Sequence, residues 1–257
     1  MTFLDDVLEA KWLEIKALRA RPAQAGTAGA GGGFEQALRG PALSVIAEIK
    51  RRSPSKGPLA TGLDAGLTAL AYRDGGAAAI SCLTDRTFFG ARLDDLKDAR
   101  HAGLPVLRKD FLIDRVQIDE SRAMGADAVL LIVRILGPAE LKQLLDHARS
   151  RGLDALVEVH DEAEVDRALA AGASLIGVNN RDLETLVVDP KRALHLRPRI
   201  PKGVLSVAES GVSTRDDVRR IADAGFDAVL IGEALAASAV PAVRLRELLG
   251  EAPEAIR

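Results

Sequence analysis

A repeated junction restricts the folds that this sequence can form. At each junction a stretch with the apolar spacing of a helix reaches a glycine, and small residues then lead into a run rich in Val, Ile and Leu. The copies are YRDGGAAAISCL, RAMGADAVLLIV, RSRGLDALVEV, LAAGASLIGV and IADAGFDAVLIG. Glycine suits the left-handed position that ends a helix, and an unbroken apolar run suits a strand that is buried on both faces. The junctions therefore predict helices that alternate with parallel strands.

A series of such strands can be placed along the chain, with helical segments between them. We predict strands at Ser44–Lys50, Ala78–Leu83, Pro105–Lys109, Asp127–Val133, Asp154–Val159, Ser174–Asn179, Val204–Glu209 and Ala228–Gly232. This number favours a closed (β/α)8 TIM barrel over an open doubly wound sheet, because no GxGxxG motif opens the first strand–helix unit and no second domain remains to be assigned. Since barrels of this length form one domain, we expect residues 1–257 to be a single barrel domain.

Residues 1–43 precede the first strand and are expected to form a helical extension and a connector. Leu4–Arg19 is amphipathic and predicts an extra helix that covers one end of the barrel. Pro22–Gly33 is rich in Ala and Gly and contains GTAGAGGG. No strand precedes this run and no Lys-Ser or Lys-Thr pair follows it, so a flexible connector is a better interpretation than a phosphate-binding loop.

The composition indicates no macromolecular partner. A formal net charge of −2 offers no excess of basic residues for nucleic acid or an anionic membrane. The longest apolar run, AVLLIV, is far shorter than a membrane span of about 20 residues, and the acidic start MTFLDDVLEAKW is unlike a signal peptide. Cys82 is the only cysteine, which excludes an intrachain disulfide, and we expect it to be a core thiol. We expect a monomer in the cytoplasm.

Several predicted strands end on a charged or amide side chain. Burying an ion costs free energy, so these ends are best explained if they converge on one partly solvated site. In a closed parallel barrel the catalytic groups lie at the carboxyl ends of the strands, where all of these residues fall. They are Glu48, Lys50, Lys109, Glu158, Asn179 and Glu209. Any one of them could belong to a surface ion pair, but together they predict a pocket for general acid and base catalysis.

The histidines do not suggest a metal site, because no His, Cys and Asp residues stand at metal-ligand spacing. They are scattered along the chain as His101, His147, His160 and His195. His160 follows Glu158 closely, and we expect it to have a supporting role or to lie on the rim of the pocket.

The ends of the seventh and eighth strands carry a second pattern. Ser210-Gly211 follows one strand and Gly232-Glu233 follows the other, each before helical sequence. In barrel enzymes the loops after these two strands often bind phosphate through backbone N–H groups. Each glycine alone could serve only a tight turn, but the paired positions favour a phosphate site. Lys50, with Ser53 in RRSPSKG, could supply charge to the same ligand.

These segments resemble the indole-3-glycerol phosphate synthase family. The matching strings are AEIKRRSPSKG, SCLTDRTFFG, PVLRKDFLID, GADAVLLIV, ALVEVHDEAE, LIGVNNRDLETL, AESGV and DAVLIGEAL, in the order of the family and over nearly the whole chain from Leu4. The resemblance implies a carboxy-lyase of tryptophan biosynthesis. Its substrate would be 1-(2-carboxyphenylamino)-1-deoxyribulose 5-phosphate, which closes into an indole ring with loss of carbon dioxide and water. The resemblance implies that no cofactor is needed.

The resemblance also implies roles for the charged strand ends. Lys109 would be the general acid that protonates the ribulose carbonyl, and Glu158 the glutamate that acts as acid and base in closure and dehydration. Lys50 would meet the substrate carboxylate, with Glu48 as its partner or as a base. The residues that would position the substrate hydroxyls and stabilise intermediates are Glu209 and Asn179. Which of these groups handles each proton stays open.

The remaining residues that the resemblance implies bind the substrate. Phosphate would rest on Ser210, Gly211, Gly232 and Glu233, with Ser53 nearby. The anthranilate ring would meet Pro54, Phe89, Phe111, Leu130 and Leu183, and Arg181 would also bind substrate. Each apolar residue could simply belong to the core. Aromatic residues make up only 3% of the chain, however, and Phe88, Phe89 and Phe111 all follow strand ends, which favours a ring pocket.

Three positions depart from the family pattern: Gly90 comes one residue early, and Ala208 and Ala234 replace serines. The last change could remove one hydroxyl contact to phosphate. Two other functions compete with the synthase. An isomerase of a phosphorylated aminosugar would have Asp or Cys/Asp pairs at the strand ends, and a non-catalytic phosphate-ligand binding barrel should have lost the acid and base groups.

Overall fold

The computed structural model describes residues 2–20 and 33–250. In these residues eight parallel strands close into a barrel in which each strand pairs with its neighbours in the sequence and the last pairs with the first. The strands are β1 (Ser44–Ile49), β2 (Ala79–Leu83), β3 (Val106–Lys109), β4 (Ala128–Ile132), β5 (Asp154–Val159), β6 (Leu175–Asn179), β7 (Leu205–Glu209) and β8 (Ala228–Ile231). The predicted (β/α)8 TIM barrel is confirmed, and each strand lies within one residue of its predicted bounds.

Helices occupy the segments between the strands and precede the first of them. They are α1 (Phe3–Arg19), α2 (Phe34–Ala37), α3 (Ala65–Asp74), α4 (Arg86–Phe89), α5 (Asp95–Ala99), α6 (Arg115–Met124), α7 (Pro138–Ser150), α8 (Glu162–Ala170), α9 (Arg192–Leu196), α10 (Arg215–Asp223), α11 (Glu233–Ala236) and α12 (Pro241–Leu249). A short antiparallel hairpin pairs Arg52–Ser53 with Gly57–Pro58 in the segment after β1. None of the helices in the described residues is long and apolar enough to cross a membrane.

Side chains along the strands alternate between the barrel interior and the layer beneath the helices. In β1, Val45, Ala47 and Ile49 pack in the outer cluster, whereas Ile46 packs in the inner one. The period of two places the next inward position at Glu48. The same alternation turns the last residue of β3, β6 and β7 inward. The charged strand ends therefore converge because of strand geometry alone.

The N-terminal helix lies at the carboxyl end of the barrel. Its Phe3 ring makes edge contacts with Phe88, at 5.4 Å between ring centroids, and with Phe111, at 6.5 Å. Phe88 follows β2 and Phe111 follows β3, so α1 reaches the mouth where the charged residues converge. This places the predicted extra helix and identifies the end that it covers. The predicted connector Pro22–Gly33, apart from Gly33, lies outside the described residues.

The opposite end of the barrel is covered by α2. The Glu35 backbone N–H donates a hydrogen bond of 2.9 Å to Asp154, the first residue of β5, and the Ser174 hydroxyl before β6 donates to the Glu35 carboxylate. Phe34 and Leu38 are buried in the inner cluster. These contacts close the amino end of the barrel and leave the carboxyl end for a ligand.

Candidate active site

Three charged residues from alternate strands meet inside the barrel. Lys109 Nζ, at the end of β3, lies 3.2 Å from Glu158 Oε2 on β5 and 3.3 Å from Glu209 Oε2 on β7. Both glutamate side chains are almost fully buried, and Lys109 is 13% exposed. Since β3, β5 and β7 are not neighbours in the sheet, their side chains can meet only across the interior. The predicted convergence of these three residues is therefore found.

The environment separates the protonation states of the two glutamates. Burial disfavours both carboxylates, but the charges of Lys109 and His160 and hydrogen bonds from Asn179 and Lys109 hold the pKa of Glu158 below its ordinary value. Burial and the nearby carboxylates outweigh Lys109 at Glu209 and raise its pKa to about 8. Glu158, Glu209 and Glu48 in turn raise the pKa of Lys109, although burial alone would lower it. At neutral pH the site thus holds a cation, an anion and a neutral carboxylic acid.

A second acid–base pair stands beside the first. Lys50 Nζ lies 2.8 Å from Glu48 Oε1, and both side chains are largely buried. Burial opposes ionisation of Glu48, but Lys50 and Lys109 hold its pKa below the ordinary value. The Glu48 carboxylate packs so closely on Gly232 that a Cβ there would lie 2.4 Å from Oε1. A glycine is therefore required at the start of α11 if Glu48 is to keep this position.

Asn179 connects the glutamates to the next loop. Its side-chain oxygen accepts a hydrogen bond of 2.9 Å from the Arg181 backbone N–H, and its side chain also helps to lower the pKa of Glu158. The side-chain amide of the following residue, Asn180, donates to the backbone oxygen of Ser210 at 3.0 Å. The Asn-Asn pair therefore ties the loop after β6 to the loop after β7.

Four of the predicted ring-binding residues belong to one apolar wall together with Phe88. Phe111, Leu130 and Leu183 are buried in the inner cluster, and Phe88 and Phe89 pack against it. The Phe89 and Phe111 rings are 6.3 Å apart between centroids. Pro54, in the turn of the hairpin after β1, is partly buried. An aromatic ligand at the mouth would thus meet an apolar surface beside the charged cluster.

The predicted phosphate residues lie on the loops after β7 and β8. Ser210 and Gly211 both have left-handed backbone conformations, with φ of 65° and 79°. Such a conformation is uncommon for serine and marks a constrained turn. The Glu233 carboxylate forms ion pairs with Lys56 and with Arg181 Nη2, the latter at 3.4 Å. Its side chain is thus occupied by cations, and only its backbone N–H is left for an anion.

Arg181 and Ser53 are held by local contacts. Arg181 Nη1 donates to the Leu186 backbone oxygen at 2.9 Å and to Ser55 Oγ at 3.2 Å. Ser53 Oγ accepts a hydrogen bond of 3.1 Å from the Lys56 backbone N–H, which shapes the hairpin. Arg181 therefore bridges the hairpin after β1 and the loop after β6, at the same side of the mouth as Glu233.

Sequence analysis missed a buried cation in the N-terminal helix. Lys11 is 1% exposed, and its Nζ lies 2.8 Å from both Asp85 and Asp110, which follow β2 and β3. Burial opposes ionisation, but Arg108 and Lys11 lower the pKa of Asp110 to about 2. The spacing did hold a sign of this burial, because Lys11 stands in line with the apolar positions Leu4, Val7 and Ile15.

Sequence analysis also placed His160 incompletely. The side chain is fully buried, not on the rim, and its Nε2 lies 3.4 Å from Glu158 Oε1. On its other side Nδ1 lies 3.1 Å from Glu164, which pairs with Arg134 at 2.8 Å. The expected supporting role matches this location, whereas the rim location is wrong. Neither Glu164 nor Arg134 was expected to contribute.

The departures from the family pattern fall away from the charged cluster. Ala208 is buried in the outer cluster beneath the helices, so its side chain faces away from the interior. Ala234 packs against the same outer cluster. Gly90 ends α4 in the left-handed conformation, with φ of 70°. Cys82 is buried in that outer cluster as well, which confirms that it is a core thiol.

Comparison with known proteins agrees with this arrangement. The family model for indole-3-glycerol phosphate synthase matches residues 4–248. The chain is 49% identical to an indole-3-glycerol phosphate synthase of Chlorobium phaeovibrioides, over 93% of this chain and 96% of that protein, and 52% identical to indole-3-glycerol phosphate synthase 2 of Streptomyces coelicolor, over 84% of each. A thiamine phosphate pyrophosphorylase structure from Pyrococcus furiosus, with a TM-score of 0.60, 16% identity and coverage of 81% of this chain and 94% of that one, shares the fold alone. This chain belongs to the indole-3-glycerol phosphate synthase family.

Proposed function

We propose that this chain converts 1-(2-carboxyphenylamino)-1-deoxyribulose 5-phosphate into indole-3-glycerol phosphate, in tryptophan biosynthesis. The observation that carries the proposal is the cluster of Lys109, Glu158 and Glu209 inside the barrel mouth. It combines a proton donor, an ionised base and a neutral acid beside an apolar wall. Ring closure, decarboxylation and dehydration need these proton transfers and no redox step, and membership of the family supports the same reaction.

Lys109 is the proposed general acid of ring closure. As the aryl carbon that carries the carboxylate attacks the ribulose carbonyl, a carbon–carbon bond forms and the carbonyl oxygen takes a proton from the Lys109 ammonium. The surrounding glutamates keep this ammonium charged until the transfer. The ring nitrogen then becomes electron-deficient, and loss of carbon dioxide returns the electrons of the broken carbon–carbon bond to the ring.

The glutamates would act in the dehydration that follows. Glu158, held as a carboxylate by Lys109 and Asn179, accepts the proton that leaves carbon and donates a proton to the departing hydroxyl group, so that water leaves and the carbon–carbon double bond forms. Glu209 is the neutral acid near pH 7, and neither of its carboxyl oxygens has a hydrogen-bond partner among the described residues. Together with Asn179 it would bind substrate hydroxyls. Buried polar atoms normally have hydrogen-bond partners, so the Glu209 carboxyl oxygens would find theirs in the substrate.

The second pair and the loops would hold the two ends of the substrate. Lys50, paired with Glu48, meets the carboxylate that is later lost, and the pair can also exchange protons in dehydration. The proposed ring contacts are Pro54, Phe89, Phe111, Leu130 and Leu183. The proposed phosphate contacts are the backbone of Ser210, Gly211, Gly232 and Glu233, with Ser53 and the Arg181 guanidinium nearby. Binding at both ends brings the aryl carbon and the carbonyl together.

We also propose that residues 1–257 form one domain that works as a monomer in the cytoplasm. One barrel core runs through residues 33–250, and the family match from 4 to 248 includes the N-terminal helix. The single cysteine is buried, which is compatible with a reducing compartment. Sedimentation of the purified full chain tests the monomer directly.

Incubation of the purified protein with the carboxyphenylamino substrate tests the function. We expect indole fluorescence to appear together with one carbon dioxide per product. Lys109→Ala should lower kcat by about 100-fold or more, the scale of a positioned general acid. The exposed Lys142, which pairs with Asp146 on α7, provides the control Lys142→Ala and should leave turnover unchanged.

Each alternative predicts another outcome of the same assay. Product without release of carbon dioxide would indicate an isomerase. Binding without turnover, insensitive to Lys109→Ala, would indicate a non-catalytic binding barrel. Absence of indole product from the unaltered protein would overturn the proposed function.

A further inference from the structure

The imidazole ring of His160 lies between two carboxylates, one of which is Glu158. Nε2 is 3.4 Å from Glu158 Oε1, and Nδ1 is 3.1 Å from Glu164 Oε2. The His160 side chain is fully buried, and the two glutamates are nearly so. Within the described part of the chain, neither Nε2 nor Glu158 Oε1 has a hydrogen-bond partner, and at 3.4 Å the contact between them is longer than a formed hydrogen bond. These two buried polar atoms are therefore unsatisfied and face each other.

The partners of Glu164 determine which nitrogen of His160 carries a proton. Glu164 Oε2 accepts a hydrogen bond of 2.7 Å from the His160 backbone N–H, and Oε1 pairs with Arg134 at 2.8 Å. Burial opposes ionisation, but His160 and Arg134 hold the pKa of Glu164 below its ordinary value. Glu164 is thus a carboxylate that can only accept, so Nδ1 must carry a proton.

The contact on the other side of the ring also requires a proton. If Nε2 and Glu158 Oε1 were both bare, two lone pairs would face each other in a buried place, where unpaired polar atoms are costly. A single proton removes this repulsion, whether it resides on Nε2 or on Oε1. The pair then exists either as imidazolium with carboxylate or as neutral imidazole with carboxylic acid.

We propose that His160 and Glu158 share this proton, and that His160 is the positioning residue that supplies and recovers it while Glu158 exchanges protons with the substrate. The inference rests on the proposed function, because it assigns a source to the protons that Glu158 moves. In the transfer the Nε2–H bond breaks and an Oε1–H bond forms, so an ion pair becomes a neutral pair. The number of protons and the net charge of the pair do not change.

Burial opposes the imidazolium–carboxylate form of the pair, and the charged surroundings counter this effect. Lys109 from β3 and Asn179 from β6 stabilise the carboxylate form of Glu158. Glu164 from α8 stabilises the imidazolium form of His160, with Arg134 beyond it. Arg134 is held in turn by Asp161 and Asp182, each at 3.3 Å. Each partner is thus stabilised in its charged form by groups outside the pair.

His160 also lines a surface pocket to which Lys109, Glu158 and Glu209 do not contribute. The other charged and titratable residues of that pocket are Asp161, Glu162, Asp189, Lys191, Arg192 and His195. The His160 ring itself is fully buried, and the network formed by His160, Glu164 and Arg134 meets solvent at Arg134, whose side chain is 23% exposed.

His160→Gln tests the proposal, because the glutamine amide can donate a hydrogen bond to Glu158 but cannot release a proton. We expect kcat to fall by about 10- to 100-fold, within the range of general acid–base effects. KM should stay within about twofold, since the buried ring offers no surface to the substrate. His195→Gln is the matched control: His195 is exposed, pairs with Glu162 at 3.2 Å and lines the same pocket. It should leave both constants unchanged.

The pH profile distinguishes proton sharing from a structural role. Without His160, Glu158 must hold the proton alone while Lys109 and Asn179 still favour its ionised form. The protonated form of Glu158 is then lost at lower pH. The alkaline limb of the pH profile of kcat should therefore shift to lower pH by at least one unit. Glu164→Gln, which keeps an acceptor but removes its charge, should move the limb in the same direction. If His160→Gln does not fold, the pH profile of Glu164→Gln provides the test. An alkaline limb that does not shift would overturn the proposal.

A measurement without turnover separates this inference from the function on which it rests. In resting protein labelled with ¹⁵N-histidine and ¹³C-glutamate, the Nε2 signal of His160 and the carboxyl signal of Glu158 should change over the same pH interval. Independent titration of the two signals would overturn the shared proton. If the unaltered protein forms no indole product but the two signals change together, the proposed function fails while the shared proton stands.

Discussion

The carboxyl group of Glu209 packs against the backbone of Gly177. A Cβ placed on Gly177 would lie 2.1 Å from Glu209 Oε1, and 3.1 Å from a methyl group of Leu156. Gly177 points inward on β6, one position before the predicted site residue Asn179 on the same face of the strand. The glycine thus leaves the space that the carboxyl group needs to reach Lys109. Gly232 leaves the same kind of space for Glu48.

Gly177→Ala should therefore displace the Glu209 carboxyl group while Glu209 itself is unchanged. The backbone at Gly177 is not left-handed, so alanine is conformationally allowed, but the carboxyl group has to move. We expect kcat to fall by about 100-fold, because a displacement of about 1 Å in an active site has effects of this size. Gly62→Ala is the control, since a Cβ there meets nothing within 4 Å. A kcat within twofold of the parent would contradict this reading of Gly177.

The raised pKa of Glu209 predicts how stability depends on pH. Its pKa is about 8 in the folded protein, against an ordinary value of 4.5. Between these values the folded state binds more protons than the unfolded state, so this group lowers the free energy of unfolding as pH rises. Glu209→Gln removes the titration. Its free energy of unfolding relative to the parent should therefore rise from pH 5 to pH 8, which urea unfolding measures. A pH-independent difference would contradict the raised pKa.

Local signals in the sequence were sufficient for the barrel and for the charged cluster. Each strand is an apolar run that follows a glycine, so its bounds could be found without any long-range information. Once β3, β5 and β7 are parallel strands of one barrel, the period of two turns the last residue of β3 and of β7, and the penultimate residue of β5, inward. Lys109, Glu158 and Glu209 then have to meet, whatever the sequence of the helices.

Contacts between distant parts of the chain could not be predicted in this way. His160 and Glu164 are four residues apart, but His160 precedes Asp161, the N-cap of α8, so helical spacing does not apply to the pair. Arg134 comes from the segment after β4, and nothing local indicates that it reaches Glu164. These partners depend on how the loops fold over the barrel mouth, which follows from packing and not from periodicity.

Lys11 provides a test of how the N-terminal helix is held. Lys11→Met preserves the apolar stem but leaves Asp85 and Asp110 without their shared cation in a buried place. Removing one partner of a buried ion pair costs about 3–5 kcal/mol, so the urea midpoint should fall markedly. The exposed Lys16 on the same helix gives the control Lys16→Met, with an expected change of at most about 0.5 kcal/mol. Equal urea midpoints for the two variants would show that the ion pairs of Lys11 with Asp85 and Asp110 do not hold α1 in place.

Arg181 should affect binding of the phosphate group more than the chemical steps. Its guanidinium is fixed by Leu186, Ser55 and Glu233, none of which belongs to the cluster of Lys109, Glu158 and Glu209, so Arg181→Met removes a charged donor and leaves the contacts within that cluster in place. Loss of a hydrogen bond to a charged group costs about 1.5–3 kcal/mol, which corresponds to an increase in KM of about 10- to 100-fold. We expect kcat to change by less than about threefold. The inhibition constant of inorganic phosphate should rise in parallel with KM, whereas Arg199→Met, which removes a partly exposed arginine paired with Asp166, should change neither. An unchanged phosphate inhibition constant in Arg181→Met would place the phosphate group elsewhere in the mouth.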